Sequence, residues 1–74
     1  MLNLKMSEES RAFLQKDFPQ IFEQKTFNDA MEALDNFIIY AGLDENDERT
    51  PYGDKLERIY REIFNMNWNW EADA

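Results

Sequence analysis

From Phe27 to Ala41 the apolar residues return every three or four positions: Phe27, Ala30, Met31, Leu34, Phe37, Ile38 and Ala41. With about 3.6 residues per turn, an α-helix gathers that spacing onto one stripe, whereas a half-buried strand would need strict alternation. Both ends of the segment carry stop signals. Thr26 followed by Asp29 resembles a capping box with Asp in place of the usual Glu. Gly42 can take a left-handed cap, and Leu43 supplies the apolar contact that often follows one. An isolated helix of this length is marginal in water, so its apolar stripe must be buried against the rest of the chain.

The remainder supplies matching elements. Residues 1–6 alternate, with Leu2, Leu4 and Met6 on one side, which predicts a short extended arm. Ser7 is an N-cap candidate, and Glu8 and Glu9 place negative charge in a first turn, where the helix dipole favours it. The first helix is expected over 8–18, with Phe13, Leu14 and Phe18 turned inward. Pro19 lacks an amide hydrogen and restricts Phe18, so a kink is expected there, with a short extra helical turn carrying Ile21 and Phe22. Thr50-Pro51 reads as N-cap and first residue of a third helix over 51–66. Its stripe is Tyr52, Leu56, Ile59, Tyr60, Ile63 and Phe64, and Gly53 weakens its first turn. Asp54–Arg58, Glu57–Arg61 and Arg58–Glu62 stand four apart on its outer face. Residues 67–74 form a tail in which Trp68 and Trp70 alternate with Asn; an extended segment and a helical continuation both fit that pattern. The six Phe and Tyr residues at helical spacing, Phe13, Phe18, Phe27, Phe37, Tyr60 and Phe64, are read as core. The expected fold is all-α, a small antiparallel three-helix bundle in one domain, 1–74.

Composition narrows the chemistry. The chain has no cysteine and no histidine, which removes disulfides, thiolate nucleophiles, the usual zinc ligands and the usual general base near neutral pH. Ser7 and Ser10 are the only serines and have no histidine to activate them. No phosphate-cradling glycine loop is present, and no apolar run approaches the roughly 20 residues that span a bilayer. The segment Asp44–Arg49 invites comparison with a calcium loop. Counted from Asp44, however, the position that should be Gly is Arg49, and the one that should be Glu is Lys55. The expectations are a non-enzymatic, cytoplasmic protein without cofactor or metal.

Charge is the most distinctive functional signal. Of 16 acidic residues, seven fall between Thr26 and Glu48, where there is no Lys or Arg: Asp29, Glu32, Asp35, Asp44, Glu45, Asp47 and Glu48. The formal charge of the chain is −8, so outside this segment acids and bases nearly balance. Such a field repels nucleic acid and anionic membranes and favours a basic partner. The plainest reading is a wet face that keeps a small protein soluble. The functional reading is a docking surface, in one version mimicking the phosphate array seen by a nucleic-acid-handling protein. Trp68 and Trp70 are the expected apolar anchors, since tryptophan is enriched in binding hot spots; otherwise they fold back and cap the bundle. The expected function is thus a small acidic protein-interaction module, a regulator or inhibitor. The alternative is a structural helical homo-oligomer burying surplus aromatic surface, motivated by eleven aromatics in 74 residues.

Overall fold

The computed structural model describes the backbone of residues 2–72 and the side chains of residues 2–67. Among these, the chain forms three α-helices, α1 (Glu8–Asp17), α2 (Phe27–Ala41) and α3 (Pro51–Ala72), with a 3-10 turn at Pro19–Glu23. The order and kind of elements are those expected from the sequence. α1 ends one residue early, because Phe18 precedes Pro19 and takes φ −149°, ψ 63°, outside helical geometry. α3 runs beyond the expected 51–66 to Ala72, so of the two readings left open for the tail the backbone takes the helical one over 67–72.

Caps explain the helix starts. Ser7 Oγ accepts from the Ser10 amide at 3.2 Å, Thr26 Oγ1 from the Asp29 amide at 3.0 Å, and Thr50 Oγ1 from the Gly53 amide at 3.1 Å. Glu62, expected to pair with Arg58, instead accepts from both the Ser7 amide (3.2 Å) and hydroxyl (3.3 Å), and so ties α3 to the start of α1. Glu57 makes the expected pair with Arg61 at 2.7 Å and a second ion pair with Arg49.

The centre of the core is aliphatic. Leu4, Leu14, Ile21, Leu34, Leu56 and Ile63 are essentially inaccessible, with Met31, Ile38 and Ile59 packed around them. The aromatics expected to be core sit mostly at its rim. Phe22 and Phe27 are buried, Phe13, Phe18, Phe37, Tyr52 and Tyr60 are half-buried, and Phe64 is exposed. Their rings nevertheless bridge elements: Phe18 stacks on Phe37 at 4.4 Å, Phe13 meets Tyr52 at 5.7 Å, and Phe27 meets Phe64 at 6.2 Å. Large rings fit the edges of a small core better than its middle, where shorter branched chains fill the gap between helices.

α2 and α3 are antiparallel, with Phe27 beside Phe64 at one end and Gly42 beside Gly53 at the other. Here the structure corrects the reading of Gly42 and supplies a reason for Gly53. Gly42 adopts φ −99°, ψ 0°, not the left-handed cap. Its lack of a side chain is needed because a Cβ there would lie 2.8 Å from the Gly53 Cα, and one on Gly53 would lie 2.9 Å from the Gly42 Cα. Gly53 thus weakens a helix turn to allow two backbones to touch. Thr50 locks the crossing by donating its amide (3.0 Å) and hydroxyl (3.1 Å) to the Gly42 carbonyl.

The N-terminal arm is held without a partner strand. Asn67, buried on α3, uses its side-chain amide as a strand would use its backbone. Its Oδ1 accepts from the Lys5 amide at 3.1 Å and its Nδ2 donates to the Lys5 carbonyl at 3.0 Å. The Leu2 amide donates to the Phe22 carbonyl at 3.0 Å, and Arg11 donates to the Leu4 carbonyl. Leu4 and Met6 are thereby pressed into the core.

Candidate functional site

The outer face of α2 follows from its buried stripe. Phe27, Ala30, Met31, Leu34 and Ile38 point inward, so residues on the far side of the helix face water. Asn28, Asp29, Glu32, Asp35 and Asn36 are all exposed there, as the sequence predicts for the three acids. Residues three and four apart are neighbours on a helix surface, about 5–6 Å between Cβ atoms, so Asp29, Glu32 and Asp35 form one continuous ridge. Among the described residues the ion pairs join Glu57 to Arg49 and Arg61, and none involves these three acids.

The ridge ends on two large apolar side chains that the sequence reading passed over. Ile39 is 59% exposed and Tyr40 86% exposed, one turn beyond Asp35 and Asn36. The signal was legible: Phe37-Ile38-Ile39-Tyr40 is four apolar residues in succession, and four consecutive positions spread over most of a helix circumference. One stripe cannot bury them all. Ile38 goes into the core, Phe37 turns to Phe18, and Ile39 and Tyr40 are left outside.

The loop after α2 continues the negative field but divides its acids by role. Asp44 is structural: its Oδ1 accepts from the amides of Asn46 (2.8 Å) and Glu48 (3.0 Å). The Asp44 amide reaches the Glu48 carbonyl at 2.8 Å, and Leu43 and Arg49 form a bridge that closes the loop. Asp47 takes φ 61°, a left-handed conformation that Asp tolerates better than most residues. Glu45, Asp47 and Glu48 are exposed. Among the described residues, no three acidic side chains are grouped so as to hold a metal ion. The placement also runs against folding stability, since acids lie past the C-terminal, negative end of α2 and no base stands in its last turn.

Three acids away from α2 are half-buried: Glu62, tied to Ser7, together with Asp17 and Glu57. Asp17 accepts from the Tyr52 hydroxyl at 2.8 Å, and Glu57 is clasped by its two arginines. Burial, followed by the hydrogen bond to Asp17 and its charge, pushes the Tyr52 phenol up to about 12. This is a tie between α1 and α3.

Trp68 and Trp70 lie on the last turns of α3, and their side chains are outside the described residues. Their backbone is about 25 Å along the α3 axis from Pro51, at the end of the bundle away from the Asp44–Glu48 loop. No helix among the described residues is long and apolar enough to cross a membrane. Compared with models of protein families, curated proteins and solved structures, the chain matches none.

Proposed function

We propose that this chain is a small, non-catalytic protein-interaction module, a regulator or inhibitor that docks by the outer face of α2 on a basic partner protein. The observation that carries the reading is the exposed, base-free run of acids from Asp29 through Asp35 to Glu45–Glu48. A face kept only for solubility can intersperse charges of both signs. It does not need every base excluded over 23 residues, nor acids placed at the unfavourable end of a helix dipole. Complementary charge would speed encounter and select the partner, while apolar contacts would supply much of the affinity. A nucleic-acid-handling protein is one partner class that carries such a basic surface. The proposed setting is the cytoplasm, with which a cysteine-free chain is compatible.

The test is a pull-down from the source cell with two baits, wild type and the triple variant Asp29→Asn, Glu32→Gln, Asp35→Asn. All three positions are exposed, so the variant should melt with the wild type within a few degrees. Proteins with basic surfaces should be recovered on the wild-type bait and lost from the variant. The same set recovered on both baits refutes the reading.

A further inference from the structure

The exposed Ile39–Tyr40 pair narrows what kind of segment the docking face can accept. We propose that the outer face of α2 receives a lysine- and arginine-rich amphipathic helix of the partner protein, with Ile39 and Tyr40 as its apolar anchor; this rests on the docking function above. Three features lead there. First, the site is the side-chain ridge of a helix whose backbone hydrogen bonds are internal, so it offers no strand edge to an extended peptide. A helix satisfies its own backbone and meets such a ridge side chain to side chain. Second, the ridge from Asp29 to Tyr40 is about 16 Å long, three turns of a partner helix. Third, its chemistry is graded along that length. Asp29, Glu32 and Asp35 call for cations, and Ile39 with Tyr40 calls for an apolar residue at the end nearer Gly42.

A second copy of the chain fits this face poorly. Two α2 faces brought together would set three base-free carboxylates against three, and Arg49 and Arg61 are already paired with Glu57. The occupant is therefore assigned to a different, basic chain.

The probe is a synthetic helical peptide carrying Lys and Arg on one face and two leucines four residues apart, with a companion in which serine replaces both leucines. Each is titrated into the full-length protein by fluorescence anisotropy. The leucine peptide should bind the wild type at least tenfold more tightly than its companion. That advantage should vanish in the double variant Ile39→Ser, Tyr40→Ser, whose exposed positions leave the melting temperature nearly unchanged. The acidic triple variant should weaken both peptides. Equal binding of the two peptides, or an advantage that survives in the double variant, overturns the anchor assignment while leaving electrostatic docking in place. Binding indifferent to both salt and the triple variant overturns the docking function itself. Sedimentation showing a wild-type dimer that the double variant dissociates overturns the assignment to a foreign helix and gives the face to a second copy.

Discussion

Replacing Gly53 with alanine sets two physical arguments against each other. Helix propensity alone says the change should stabilise, because glycine in a helix is about 1 kcal/mol worse than alanine. The crossing with Gly42 says the opposite. A methyl group at Gly53 would collide with the Gly42 carbonyl oxygen and lie 2.9 Å from the Gly42 carbonyl carbon and Cα. All three are backbone atoms, and the same carbonyl is fixed by two hydrogen bonds from Thr50. Relief therefore requires moving α3 away from α2 by several tenths of an ångström, or losing those bonds. Overpacking of this kind costs about 1–3 kcal/mol, and each weakened hydrogen bond about 0.5–1.5 kcal/mol. After subtracting the propensity gain, Gly53→Ala should destabilise by roughly 1–5 kcal/mol. For a domain of this size each kcal/mol shifts the midpoint by about 4–8 °C. Thermal and urea unfolding followed by circular dichroism at 222 nm would read the change directly. Gly42→Ala should behave alike, and the double variant should cost less than the sum, since one separation of the helices relieves both contacts. A Gly53→Ala protein as stable as wild type, or more so, would refute the close-crossing argument and return Gly53 to a mere weak point.

Three further outcomes test other joints of the fold. Leu34 is fully buried at the centre of the core, so Leu34→Ala should cost roughly 2–5 kcal/mol in the same unfolding assay. Asn67→Ala removes the paired bonds to Lys5 and should cost roughly 1–3 kcal/mol, with faster hydrogen exchange at the Lys5 amide as its local signature. Tyr52 holds its proton more tightly folded than unfolded, so its contribution is intact below about pH 10 and is lost as pH rises toward 12. Wild type should accordingly lose stability across that window more steeply than Tyr52→Phe, read by urea midpoints at a series of alkaline pH values.

What could be read from the residues depended on how local the cause was. α2 was legible end to end, because its stripe, its Thr26 cap and its stop at Gly42 are all written within one segment. The break at Pro19 was equally local, since proline acts on its immediate neighbour. The reason for Gly42 and Gly53 was not, because it is a contact between two segments and each glycine alone invites a conformational explanation. Asn67 likewise reads as a polar spacer until the arm is seen lying beside it. In the candidate site, charge patterning located Asp29, Glu32 and Asp35 on the wet face of α2, but it could not tell that Asp44 spends its carboxylate closing a loop. Ile39 and Tyr40 were within reach. Their exposure follows from four apolar residues in a row on a helix with one buried face.

In the proposed function the acidic face of α2 steers a basic partner. The most direct measurement is the association rate of a recovered partner, followed by surface plasmon resonance across a series of salt concentrations, for wild type and for the Asp29→Asn, Glu32→Gln, Asp35→Asn variant. Exposed charges are screened beyond about 8 Å at physiological ionic strength, so a steered encounter slows as salt rises. The wild-type rate should fall roughly tenfold from low to physiological salt. The variant should start slower and depend on salt less steeply, while melting within a few degrees of wild type. An association rate indifferent to both salt and the triple substitution would contradict the claim and leave the ridge as a solubility surface.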